Sequence, residues 1–139
     1  MQQYLALVES LWAHDTRAAC WAWGAVLGAV SVVTGAFGAH ALKGIDPGLA
    51  KTWDTAVRYH TYSVFMLLFL AVAPVANPVA LVWPLRLVLT GTTLFSGSLY
   101  LLVVTGIRKL GAITPIGGLI LIAAWLALGG AIIPRPSRA

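Results

Sequence analysis

The residues of this chain equipped for chemistry are few. Asp54, Arg58 and His60 form one group, His40 precedes them, and Ser96 and Tyr100 follow. Asp54 and Arg58 lie four apart, so on a helix they share a face and can form an ion pair, with Thr61 continuing that face. His60 and Ser63 point roughly the opposite way, which leaves this stretch polar all round and suits a helix surrounded by others. Thr93, Ser96 and Tyr100 follow at i, i+3 and i+7 on one face of a later helix, where hydroxyls bond carbonyls of their own helix or a neighbour. The chemistry open to such a set is hydrogen bonding to a small solute or passage of a proton. No nucleophile–base arrangement and no paired carboxylates are visible, so no catalytic residue is assigned and the chain reads as not an enzyme.

His40 and His60 raise the question of haem or another metal, since a short connection joins their helices. In a continuous helix, however, His40 points about 160° away from the glycine stripe described below, and no second pair of ligands appears. Histidines hydrogen-bonded near a membrane boundary are the simpler reading, and no metal or cofactor is assigned. Cys20 is the single cysteine, which excludes an internal disulfide and a multi-cysteine metal site.

The elements that must position these residues follow from charge. Nine basic and four acidic residues leave nothing charged between Arg17 and Lys43, Arg58 and Arg86, Arg86 and Arg108, or Lys109 and Arg135. Only 9% of residues are charged against about a quarter in soluble domains. A lipid-spanning helix needs about 20 apolar residues, so the windows predict four spans, near 18–41, 52–73, 84–106 and 115–133. A net charge of +5 would suggest nucleic acid in a soluble protein; here no basic run exceeds Arg108-Lys109, and the excess reads as charge at lipid headgroups. The expected partners are the lipid bilayer and a homo-oligomer or larger membrane complex, with no nucleic acid.

Tyr4, Val8, Leu11 and Trp12 repeat at helical spacing, which predicts a short amphipathic helix over 1–17 in the headgroup layer. A cleavable signal peptide fits this segment poorly, because it lacks a basic start and contains Glu9 and Asp15. Asp46-Pro47 is N-cap and first-turn chemistry for the second helix; Thr114 and Pro115 read the same way for the fourth. Trp21, Trp23 and Trp83 are expected at interfaces, with Arg86 snorkelling toward headgroups. The membrane domain covers 18–134 and a polar tail 135–139. Four spans place both termini on one side, and basic residues divide too evenly between the two sides to orient them.

Two spans have special features. In the second, the charge-free stretch from Tyr59 to Ala73 covers only about 22 Å, short of the ~30 Å hydrocarbon core, so this span must admit Arg58, with Asp54 as its expected partner. In the first, Gly24, Gly28, Ser31, Gly35 and Gly38 fall within about 80° of arc. Such a flat stripe lets helix backbones approach closely, either inside the bundle or at an oligomer interface. Counting rise from the loops puts His60 and Tyr100 at similar depth, about 12 Å below the same membrane face.

Several runs resemble the domain-of-unknown-function 423 group of small membrane proteins, which includes YgdD-like proteins and transmembrane protein 256. They are Gly35-Ala-Phe-Gly-Ala-His-Ala-Leu42, Thr55-Ala-Val-Arg-Tyr-His60, Leu94-Phe-Ser-Gly-Ser-Leu-Tyr100, Thr114-Pro-Ile-Gly-Gly118 and Ala124-Trp125. The resemblance covers about residues 22–130 and implies a single helical membrane domain without an established activity. Family members often carry glutamine at the position of His60 and histidine at that of Ser63, so this chain departs from the pattern there. The fold expected is all-α: an integral membrane four-helix bundle with a short N-terminal interfacial amphipathic helix. It belongs in the inner membrane if the chain is bacterial. Two functions are carried forward: a non-catalytic packing or accessory subunit, and a small-solute or proton pathway formed by an oligomer. A haem or quinone protein is a third and weaker reading.

Overall fold

The computed structural model describes the backbone of residues 2–75 and 77–133, with side chains from residue 15 onward except those of 76 and 78. Among the described residues five α-helices make the bundle: α1 (Gln2–Ala41), α2 (Pro47–Val72), α3 (Val82–Thr92), α4 (Ser98–Thr105) and α5 (Thr114–Ile132). The described residues contain no strand. Among the described residues, four stretches are long and apolar enough to cross a bilayer: Asp15–Ala41, Pro47–Val72, Val79–Thr105 and Arg108–Ile132. The second and third spans form the middle of the bundle; α1 packs on α2, and α5 packs on α3.

The turns obey local chemistry. Gly44 takes φ 84° after α1, and Gly106 takes φ 72° to end α4, its N–H bonding the Leu102 carbonyl at 2.8 Å. Asp46 caps α2 as expected: one carboxylate oxygen accepts from the backbone N–H of Gly48 (2.8 Å) and Leu49 (3.2 Å), with Pro47 opening the helix. Helix α2 therefore begins at Pro47, as the cap predicts, ahead of the apolar span.

The backbone departs from the expected spans in three places. There is no break at residue 17: α1 runs unbroken for 40 residues, about 60 Å, roughly twice the hydrocarbon core. The stripe of Tyr4, Val8, Leu11 and Trp12 lies outside the described side chains, as His14 does, and the tail 135–139 lies outside the described residues. The third span opens as a 3-10 turn at Pro78–Leu81 and is interrupted by a π-turn, Thr93–Gly97, between α3 and α4. Finally, Thr114 does not cap α5; its hydroxyl lies 2.9 Å from the Ser98 hydroxyl and ties the fourth span to the third.

Close approach of backbones holds the bundle together, as small residues allow in lipid. The stripe of α1 faces α2 of the same chain. A Cβ on Gly24 would meet Leu68 at 2.7 Å, one on Gly28 Val64 at 3.5 Å, one on Gly35 Val57 at 3.8 Å and one on Gly38 the Trp53 ring at 2.6 Å. Ser31 turns its hydroxyl onto the Gly28 carbonyl at 2.8 Å. On the other side, Gly117 of α5 lies against the backbone of Leu94 and Phe95 in the π-turn, while a Cβ on Gly91 of α3 would meet Leu121 at 2.9 Å. A buried cluster that includes Cys20, Met66, Leu67, Leu70, Leu81, Val88 and Ala124 fills the end of the bundle away from His60.

Arg17 has a role beyond flanking the membrane. Its guanidinium donates to the carbonyls of Ala71 (2.9 Å) and Ala73 (2.9 Å), closing the C-terminal end of α2 where carbonyls lack helical partners. Positive charge there also opposes the negative end of the helix dipole. By contrast, Arg86 stays outside the bundle, 5.6 Å above the Trp83 ring at the start of the third span.

Candidate functional site

Three spans converge on one polar network. Thr34 of α1 donates its hydroxyl back to the carbonyls of Val30 (3.0 Å) and Ser31 (3.1 Å). The Tyr100 hydroxyl of α4 donates to the Thr34 hydroxyl oxygen at 3.3 Å, and His60 Nδ1 of α2 lies 3.2 Å from the same Tyr100 oxygen. Above them, Trp53 donates its indole N–H to the Thr34 backbone carbonyl at 2.9 Å. Its ring lies between Phe37 (5.2 Å between centroids) and Tyr100 (4.7 Å). His60 and Trp53 are almost wholly buried, at 3% and 5% exposure.

The network sits inside the membrane. Thr34 is seven residues before the end of α1 and Tyr100 five before the end of α4, about 10 and 8 Å along their helices. His60 is thirteen residues, about 20 Å, from the start of α2, so the first two turns of α2 rise past their neighbours. That overhang explains the charges. Asp54 and Arg58 are exposed on the outer face of α2, and no ion pair joins them among the described residues. The expected pairing is therefore corrected. Asp54 stands about 9 Å above His60, level with the ends of the neighbouring spans, and a long Arg58 side chain reaches the same level, so water and headgroups can solvate both.

Below the network a cleft of about 600 Å³ opens between α1 and the third span. The two part there because α1 meets that span mainly at its 3-10 entry. Trp23, Leu27 and Val30 form one wall; Leu89, Thr90 and Thr92 to Leu94, with Ser96, Gly97 and Tyr100, form the other, and His60 lines it from α2. Thr92 and Thr93 add little polarity, since they bond the carbonyls of Val88 (2.7 Å) and Leu89 (2.9 Å), while the exposed Thr90 hydroxyl has no partner among the described residues. Among the described residues, two buried polar atoms of the cleft lining find no partner: His60 Nε2 and Ser96 Oγ. Ser96 belongs to the π-turn, a local distortion often found at functional sites.

Among the described residues, no buried side-chain polar atom lining the two other cavities lacks a partner. One of about 330 Å³, ringed by Tyr59, Tyr62, Phe95 and Trp125, contains Ser63, whose hydroxyl bonds the Tyr59 carbonyl at 2.9 Å. One of about 570 Å³ at the loops contains Asp46, already used as a cap, and Thr52, bonded to the Gly48 carbonyl at 2.8 Å.

Of the residues singled out from sequence, the structure brings together His60, Ser96 and Tyr100. It separates Asp54, Arg58 and His40. His40 is exposed near the end of α1 and does not line the cleft. Thr34 and Trp53 join the site without having been expected. A signal existed for each: Trp53, Ala56 and His60 repeat at i, i+3 and i+7, and Thr34 follows Ser31 by three along the small-residue stripe.

Four apolar spans and an intramembrane network define a small polytopic integral membrane protein. The chain belongs to the family described as Protein of unknown function (DUF423), whose profile matches residues 34–118, a segment that runs from Thr34 to the Gly117–Gly118 contact with the π-turn. It is similar to UPF0382 membrane protein SH2409 of Staphylococcus haemolyticus, 45% identical over 106 residues covering 76% of this chain and 87% of that protein. UPF0382 membrane protein YwdK of Bacillus subtilis is 41% identical over 111 residues, covering 76% and 88%. No solved structure matches the chain.

Proposed function

We propose that this chain is a non-catalytic membrane protein that binds a small lipophilic molecule in the cleft between its first and third spans, in a bacterial inner membrane with both termini on one side. The observation that carries this reading is the pair of buried polar atoms, His60 Nε2 and Ser96 Oγ, left without protein partners beside an apolar cleft. An unpaired buried polar group costs about 1–3 kcal/mol, so a packing surface alone gives no reason to keep two of them. The reading is non-catalytic because Tyr100 and His60 use their mutual hydrogen bond to tie spans together, and Ser96 has no base beside it within hydrogen-bonding reach.

Gly97 offers a clean test. It lines the cleft, and a Cβ there would meet nothing within 4 Å, so a phenylalanine side chain starts into open space beside the cleft. Intact protein released from native membranes into a mass spectrometer is expected to carry a bound small molecule that Gly97→Phe loses. Gly129→Phe, at another open position, should retain it. Identical mass profiles for wild type and Gly97→Phe would sink the reading.

A second reading, a packing or accessory subunit of a homo-oligomer or larger complex, draws on α1, whose 40 residues extend well past a hydrocarbon core. Cross-linking in native membranes should capture a partner at residues 2–14. A lone monomer under those conditions would remove this reading. An oligomeric solute or proton pathway has less support, because Asp54 and Arg58 stand outside the cleft.

A further inference from the structure

We infer that the cleft selects a lipophile with a hydroxyl head, one that donates a hydrogen bond to His60 Nε2 and accepts one from Ser96. This rests on the binding reading above and narrows it to a ligand class.

The direction of each proton follows from the network. A backbone carbonyl can only accept, so Thr34 uses its hydroxyl proton on Val30 or Ser31 and offers an oxygen to Tyr100. Tyr100 has one proton and donates it to Thr34. Toward His60, Tyr100 is therefore an acceptor, and His60 donates from Nδ1 across the 3.2 Å contact. A neutral imidazole with its proton on Nδ1 presents a lone pair at Nε2. The Leu27 backbone carbonyl also lies near the ring, and being an acceptor it cannot serve a lone pair.

Ser96 supplies the complement. Thr92, Thr93, Ser98 and Thr105 of the same span all donate to carbonyls three or four residues back. Ser96, in the π-turn, does not, and its hydroxyl proton stays free. A ligand atom meeting both groups must donate to Nε2 and accept from Ser96. A hydroxyl oxygen does both; a ketone, ether or phosphate diester only accepts. The apolar walls and the opening between spans favour an alcohol borne on a hydrocarbon chain over a water-soluble one.

The test uses full-length protein in phospholipid nanodiscs with 15N-labelled histidine, His60 being assigned by its loss in His60→Gln. Nε2 is expected at the unprotonated position. Dodecanol should shift it saturably, with dodecyl methyl ether binding about tenfold or more weakly and glycerol having no effect. Ser96→Ala should weaken dodecanol alone. Thr34→Val removes the acceptor for the Tyr100 proton, so Tyr100 should donate to Nδ1 and move the imidazole proton to Nε2. Contacts between the probe chain and the Leu27 and Leu89 methyls report occupancy independently. If alcohol and ether occupy the cleft equally, hydroxyl selection is overturned while the cleft remains a binding site; if neither occupies it, both readings fall. A protonated Nε2 in wild type, an Nε2 signal held by water and unmoved by dodecanol, or an equal response to glycerol also overturns the inference.

Discussion

Alanine at Gly117 is expected to destabilise the bundle by about 3 kcal/mol, the upper end of the usual cost of overpacking. The added Cβ would lie 2.8 Å from the Leu94 carbonyl carbon and from Phe95 Cα, and closer still to the Phe95 nitrogen. All three are backbone atoms, so no side chain can rotate away and the fourth span must separate from the third. Gly129→Ala and Gly130→Ala are controls, since a Cβ at either meets nothing within 4 Å; alanine's better helix propensity should leave them neutral or stabilised by up to ~1 kcal/mol. Thermal unfolding in mild detergent measures all three. Equal melting of Gly117→Ala and wild type would contradict the packing described. Because Gly117 presses on the turn that carries Ser96, variants that still fold should also lose ligand at the cleft.

Trp53→Ala is the second large effect, expected near 3 kcal/mol, the low end for a buried tryptophan. Lipid is as apolar as the bundle interior, so the usual gain from leaving water is muted, and the loss is mainly packing. That packing is extensive: the indole fills the space over Gly38, contacts Phe37 and Tyr100, and bonds the Thr34 carbonyl. Trp53→Phe keeps a ring but removes the hydrogen bond, and should cost about half as much. Chemical unfolding of both variants separates these parts. If alanine and phenylalanine cost the same, the ring contacts contribute nothing and the account of this end of the bundle is wrong.

Both positions show how differently two kinds of information are written in the chain. Gly117 stands beside Gly118 in sequence, yet a Cβ on Gly118 would find an ordinary 3.5 Å contact with the Phe95 ring. Only the direction each presents to the third span tells them apart. The stripe from Gly24 to Gly38 was legible as a close-packing face because its spacing is local; that it packs on α2 of the same chain is a tertiary fact. The Asp54–Arg58 pairing rested on Arg58 entering the hydrocarbon core, and it failed because α2 overhangs its neighbours.

The sequence by itself determined the membrane class, four spans and the Asp46 cap, because charge, hydropathy and backbone chemistry act over a few residues at a time. It also marked His60, Ser96 and Tyr100 as polar residues in apolar surroundings. Tertiary structure decided which of them meet, that Thr34 and Trp53 join them, that Arg17 closes the end of α2, and that Ser96 sits in a π-turn. Those outcomes depend on the rotation and height of one helix against another. A shift of a single residue turns a helix by about 100° and moves it 1.5 Å, enough to make or break every contact in the site.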